Sequence, residues 1–429
     1  MRSIAFSYRH SAVFVEMLLV VSAISLFTPI IGIGIPCLIV GGSIALISLH
    51  HLGDRFYPRN IRLALYVFLY MALCVVYLLF GISTVSLGAL VAHLFFFVCI
   101  LCMILYPTYI SEKQNKRLLC IIVGIIIFNI IDNIRLCVVY PQLFFAVNRN
   151  MNSDFNVNIG GSRFYNAILF FYIICLFGFL NSKKKIFKYY MLTGVIISAI
   201  FIFGFCLKAS TLVFAILSTI LLCFAQKAKS IRRLFFRIVV PSLIIYVIVN
   251  IYMDSIIDFL SSLFASDRLI ERLVFLLDQD NASAESGSST MVARENLWFL
   301  SVSTWTDNLV NFVFGIGDHR IADWETQSPF AIGIGQHSDF FDSLARYGII
   351  GMLILVAIFI LAFEYILALF DNKQRVQLLI IFLIYILHLI TKGGLYPDLG
   401  FLLFVFLPML SNIIGHHEGT IVNKDLSSI

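Results

Sequence analysis

Apolar and polar positions in this chain come in long blocks. Apolar runs near the roughly 20 residues that a helix needs to cross a bilayer fall at 11–28, 30–49, 62–82, 86–106, 118–134 and 164–181, then at 189–207, 210–225, 237–253, 346–369, 377–391 and 399–414. Short polar connectors separate most of them. One interruption differs in kind: about ninety largely polar residues, 254–343, stand between the ninth run and the tenth. The pattern predicts an all-α polytopic membrane protein with about 12 transmembrane helices and a large loop between helices 9 and 10. The chain divides accordingly into 1–253 with helices 1–9, the 254–343 loop with short helices of its own, and 344–429 with helices 10–12 and a tail.

Finer patterning gives the loop internal structure. Residues 268–277 fit a short amphipathic helix capped by Ser266 or Asp267. Residues 279–290 form a polar, low-complexity linker, and a second helix is expected from Met291 to Trp305. On that helix Leu297, Trp298, Val302 and Trp305 share one face, with Arg294 adjoining it. Gly315-Ile-Gly317 and Gly333-Ile-Gly335 mark turns. Ser338 caps a segment from Asp339 to Tyr347 that runs into the next membrane helix, and Asp342 and Arg346 are spaced to pair across one turn.

Composition names the solvent. The chain is 60% hydrophobic and 13% charged, against roughly 25% charged for an ordinary soluble domain, so most of it sits in lipid. Arg2 and Arg9 before the first apolar run suit a signal peptide, but no small-residue cleavage site follows and a second apolar run does; a retained first helix is expected. The nine cysteines show no metal-site spacing. Cys99 and Cys102 form a C-x-x-C inside an apolar helix, where thiols serve packing rather than redox exchange.

Charge then sets orientation. With a cytoplasmic N-terminus, the inside connectors carry Arg55, Arg59 and Arg62; Lys113, Lys116 and Arg117; Lys183, Lys184, Lys185 and Lys188. Further on they carry Lys227, Lys229, Arg232, Arg233 and Arg237, then Lys373 and Arg375. Outside connectors such as 83–85 carry almost nothing, which is the positive-inside pattern. Both termini are therefore expected in the cytoplasm, and segments 135–163 and 254–343 face outward. The insert holds fourteen Asp and Glu against four Arg and no Lys.

Several residues can carry chemistry. His337, at a loop-to-helix junction, suits a base that activates a hydroxyl; an interfacial histidine capping a helix is the alternative. Arg294 suits a bidentate grip on phosphate or diphosphate, or pairing with acidic neighbours. Lys208, the only charge in the hairpin 205–211, either snorkels to headgroups or meets a lipid-linked phosphate. Arg163 and Asn166 follow Gly160-Gly161, where backbone can approach a ligand closely. Asp132 and Arg135 read as a structural pair; Glu16, His93, Glu364 and His388 are intramembrane polar groups without an assigned role. Asp278-Gln-Asp280 has the D-x-D form of metal-nucleotide sites, but it opens a polar linker where acids are expected. No metal site, phosphate loop, cofactor or nucleic-acid partner is expected.

Together these positions carry a resemblance. Gly335-Gln-His337-Ser-Asp339-Phe-Phe-Asp342-Ser-Leu-Ala-Arg-Tyr-Gly348-Ile-Ile-Gly351, preceded by Ala293-Arg294-Glu-Asn-Leu-Trp298 and Phe314-Gly-Ile-Gly317, resembles the O-antigen polymerase and ligase superfamily. That family shows G-x-x-H-N-x-F-L-x-x-L-x-x-x-G-x-x-G after an Arg-containing segment and an fGxG turn. Ser338 stands where Asn is usual, and Lys208-Ala-Ser210 stands where S-R-[ST] is expected, keeping the cation without the guanidinium fork.

The resemblance implies a GT-C-like membrane architecture and metal-independent glycosyl transfer at the periplasmic face of a bacterial inner membrane. The donor is an oligosaccharide on undecaprenyl diphosphate. His337 would deprotonate or orient the acceptor hydroxyl, and Arg294 and Lys208 would stabilise the departing diphosphate. Arg163, Asn166, Ser210, Asp339 and Trp298 would contact substrate. A chain-length regulator is an expected partner, alongside membrane lipid. The stretch after His337 is closer to Wzy-type polymerases, which extend O-antigen or capsular polysaccharide, than to ligases that transfer glycan to lipid A core. A lipid-linked oligosaccharide flippase is the competing class; such transporters line an internal cavity with intramembrane charges and lack a large outward insert.

Overall fold

The structure, a computed structural model, describes residues 2–27, 58–83, 87–109, 111–139, 162–205, 209–226, 290–317, 334 and 338–414. Every regular element among them is helical: α1 (Arg2–Phe27), α2 (Pro58–Leu79), α3 (Leu87–Tyr109), α4 (Glu112–Val139), α5 (Ser162–Asn181), α6 (Lys185–Gly204) and α7 (Ala209–Gln226). Further along come α8 (Thr290–Thr306), α9 (Leu309–Phe314), α10 (Asp339–Ala368), α11 (Asn372–Thr391) and α12 (Pro397–Ile414). Seven of these are long and apolar enough to cross a membrane, namely α2, α4, α5, α6, α10, α11 and α12; α1, α3 and α7 contain shorter apolar stretches. Ten predicted runs therefore fall on helices. Runs 30–49 and 237–253 lie outside the described residues, as do the 268–277 helix and Asp278-Gln-Asp280.

Burial sorts the helices. α5 is apolar on every side, and Tyr165, Phe170, Phe171 and Phe177 are all enclosed; a helix hydrophobic all round belongs in the middle of a bundle. α12 is equally enclosed and contains a π-helical segment, Leu402–Phe406, just before Pro408. Widening the helix there relieves the clash that a proline ring makes with the carbonyl four residues back. Phe404 packs edge-on against Phe96 of α3, and Phe406 lies near Phe171 of α5. By contrast α2 leaves Leu65, Leu69, Val76 and Leu79 exposed, a face suited to lipid.

Polar contacts define two ends. At one, Asn181 Nδ2 donates to Gln377 Oε1 (2.5 Å), Gln377 Nε2 to the Leu222 carbonyl (3.3 Å) and Gln226 Nε2 to the Leu180 carbonyl (3.0 Å), tying together α5, α7 and α11. Described cations of two predicted inside connectors meet at this end: Lys116 pairs with Glu112, and Lys184 lies 3.8 Å from the same carboxylate. The neighbouring Lys116 pulls the Lys184 pKa below the ordinary lysine value. Arg117 does more than mark orientation. Its guanidinium forks onto the buried Glu16 of α1, with nitrogens 2.5–2.8 Å from the carboxylate oxygens, which gives that previously unassigned acid a partner. Asp132 and Arg135 pair as expected, 2.8 Å apart. Cys99 and Cys102 are both buried.

Candidate functional site

The opposite end is built around the start of α10. Ser338 is its N-cap, accepting a hydrogen bond from the Phe341 amide (3.3 Å) as its sequence position predicts. Asp339 follows, and its Oδ2 accepts from the backbone amides of Gly394 (2.5 Å) and Leu395 (2.7 Å) in the loop between α11 and α12. The Asp339 amide in turn donates to the Lys392 carbonyl (3.1 Å). Two successive amides meeting a carboxylate need close backbone approach, and the Gly393-Gly394 pair permits it.

Asp342, one turn on, is buried. Its Oδ1 accepts from Ser301 Oγ of α8 (2.7 Å) and its Oδ2 from the Ser338 amide (3.3 Å). Arg346 is an electrostatic neighbour of this carboxyl group, as the spacing suggests, but the hydrogen bonds reach to α8 and the cap. The face of α8 turned to α10 also differs from the predicted apolar one: its most enclosed positions are Leu297, Ser301 and Thr304, while Trp298, Val302 and Trp305 are partly exposed. Small hydroxyl residues at this seam let the two helices approach and supply the donor that Asp342 requires. α8 also begins at Thr290, the last residue of the predicted linker.

The Gly315-Ile-Gly317 turn then closes the corner. Gly315 and Gly317 have φ of 75° and 77°, and the amides of Ile316 and Gly317 donate to the carbonyls of Ala345 and Arg346 (both 2.9 Å). Those carbonyls are exposed to the turn because α10 breaks at Gly348 (φ 60°, ψ −166°). A Cβ at Gly348 would overlap the Val313 carbonyl, and one at Gly317 would overlap the Ile82 carbonyl after α2. Tyr77 Oη donates to the Phe314 carbonyl from the same side.

Of the predicted site residues, Asp339 and Trp298 meet in this unit; Trp298 lies against Phe341 (5.9 Å), and its shielded Nε1 has no hydrogen-bond partner among the described residues. Arg294 lies on α8 one turn before Trp298. Asn166, in the first turns of α5, is buried with Oδ1 unpartnered among the described residues, and Ser210 is in the first turn of α7. The two helix starts lie at the same end of the bundle, because α5 and α7 run parallel, with Tyr172 Oη bonded to Thr219 Oγ1 (2.7 Å) and Gln226 Nε2 donating to the Leu180 carbonyl. Arg163 is in the first turn of α5. His337 and Lys208 lie outside the described residues, as do the side chains of Arg294 and Arg163.

The sequence reading missed His388 as a link between these groups. It is buried between Phe170 of α5 and Phe214 of α7 (5.5 and 5.8 Å), and Tyr385, one turn earlier, donates to the Gly394 carbonyl (3.0 Å). Its place on a strongly apolar helix was visible, but its neighbours were not. Among the described residues no three His, Cys, Asp or Glu side chains gather as a metal ion would require. No protein-family model matches the chain, and no curated protein matches it.

Proposed function

We propose that this chain is a membrane glycosyltransferase that polymerises undecaprenyl-diphosphate-linked oligosaccharides into O-antigen or capsular polysaccharide at the periplasmic face of a bacterial inner membrane. One observation carries the reading. The stretches that bear the family resemblance are 293–298, 314–317 and 335–351, and their described residues meet at one end of the bundle: Trp298 packs on Phe341, and the amides of Ile316 and Gly317 donate to the carbonyls of Ala345 and Arg346. Their described glycines, Gly315, Gly317, Gly348 and Gly351, occupy backbone conformations or close approaches that other residues would obstruct.

In this mechanism the acceptor hydroxyl oxygen attacks the anomeric carbon of the donor sugar. The bond from that carbon to the diphosphate oxygen breaks, and the lipid diphosphate leaves with the electron pair. His337 takes the hydroxyl proton, while Arg294 and Lys208 offset the charge that develops on the diphosphate. Loss of one such cationic contact costs about 10²–10³ in rate. Trp298 and Asn166 supply polar groups suited to sugar hydroxyls.

The test is His337→Ala in a deletion strain, read as surface glycolipid banding with membrane insertion checked in parallel. Single repeat units without long chains are expected. Long chains persisting in that variant would remove the assignment. A bare core with accumulated lipid-linked polymer would instead identify a ligase. Purified protein given lipid-linked repeat units should form new glycosidic bonds; a flippase forms none.

A further inference from the structure

α9 has the wrong surface for a helix standing in water. Leu309, Val310 and Phe314 are 77%, 65% and 52% exposed, and Phe312 is exposed beside them. Its interior polar residue, Asn311, turns back toward α8, donating from Nδ2 to the Thr304 carbonyl (3.3 Å). The remaining polar groups, Asp307 and Asn308, stand at its start, where Asn308 accepts from the Asn311 amide (2.9 Å). A contiguous apolar patch of this kind marks a surface that something covers.

Its depth identifies the cover. Tyr77 Oη holds the Phe314 carbonyl, and the Gly348 backbone abuts Val313. Both Tyr77 and Gly348 lie within helices apolar enough to span a membrane, Asn60–Leu79 and Asp339–Ala368. α9 is therefore pinned at the level of the last turns of an apolar span. The exposed stripe of α2 reaches the same level through Val76 and Leu79 and continues into Phe80. Trp305 stacks on Phe312 (4.8 Å, 18°) and donates from Nε1 to the Phe312 carbonyl (3.0 Å). An indole next to such a patch suits the membrane–water boundary, where amphipathic rings collect.

We propose that α9 and Trp305 form a membrane foot: the helix lies in the headgroup–acyl boundary of the bilayer, with Leu309, Val310 and Phe314 against the acyl chains of bulk lipid. The foot ties the corner formed by α8, α9 and α10 to the membrane surface. It does not depend on the transferase reading, since it rests on exposure and depth alone.

The full chain, reconstituted in phosphatidylethanolamine–phosphatidylglycerol vesicles, supplies the test. Its three tryptophans are Trp298, Trp305 and Trp324, so the W298F/W324F variant leaves Trp305 as the sole indole. Replacing part of the lipid with brominated-chain phosphatidylglycerol should remove about half of its emission, because an interfacial helix buries about 5–10 Å into that boundary. Emission unchanged by lipid bromine overturns the proposal, whether iodide in the buffer then quenches Trp305 (a face in water) or does not (a face covered by protein, a second copy included). If the double variant fails to fold, the natural chain is compared with W305F. The bromine-quenchable share of emission should fall in W305F, and an unchanged share overturns the proposal equally.

Discussion

Asp342 ties two segments together through one carboxyl group, accepting from Ser301 of α8 and from the Ser338 amide that caps its own helix. Because it is buried, water cannot replace a lost partner, and an orphaned buried donor costs about 1–3 kcal/mol. Asp342→Ala is therefore expected to lower stability by about that amount, measured by thermal unfolding of the purified protein in detergent. Ser301→Ala should cost less, since the carboxyl group keeps the Ser338 amide. In a double-mutant cycle the two should couple by about 0.5–3 kcal/mol; a coupling of zero would mean that packing at Leu297 and Thr304 alone holds α8 to α10. The same residue shows what a sequence reveals. Arg346 is visible as a neighbour because both residues share one helix. Ser301 lies 41 positions away, and nothing in its surroundings distinguishes it from any exposed serine until α8 packs on α10.

Among the elements, α10 is the most informative, since a single residue separates two unlike halves. Before Gly348 it is a capped segment held by α8, the glycine turn and the 392–396 loop; after Gly348 it is an ordinary apolar span. The conformation there is one that only glycine adopts readily, and such positions cost other residues on the order of 1–3 kcal/mol. Gly348→Ala should destabilise by at least about that much, because the added methyl also meets the Val313 carbonyl. Gly124, in the middle of α4, has only Tyr190 Oη within reach of a new Cβ, at 3.8 Å. Gly124→Ala should be neutral or stabilise by up to about 1 kcal/mol. Equal losses in the two variants, measured by the same thermal unfolding, would show that Gly348 is not a special hinge. Helices of this protein were legible because lipid demands long apolar runs and tolerates no exposed backbone. The break at Gly348 was not. In Gly348-Ile-Ile-Gly351 the spacing of small residues reads equally well as a continuous packed helix, and only the approach of Val313 distinguishes the two.

At the scale of the whole molecule, two unlike ends face each other across an apolar bundle. Connector cations such as Lys113, Lys116, Lys184, Lys373 and Arg375 belong to one end, and the seam around Asp339 and Asp342 to the other. A bundle built this way has a preferred orientation, because loops rich in Lys and Arg near the ends of spans are retained in the cytoplasm. On that proposed orientation the acidic 254–343 segment and the Ser338 cap would face outward together. Part of the cationic signal also serves packing. Arg117 holds the Glu16 carboxylate, so neutralising it would disturb the contact between α1 and α4 as well as topology. Orientation is better tested without touching any charge. Alkaline phosphatase fused within 182–184 should be inactive, and the same reporter fused at Asp307 should be active, because the enzyme matures only outside the cytoplasm. A green fluorescent protein at the C-terminus should fluoresce, as expected for a cytoplasmic tail. The reverse pattern would turn the bundle over and put His337 in the compartment where no outward-facing donor could reach it. It would leave the α9 foot at a membrane boundary all the same, so the two proposals can fail separately.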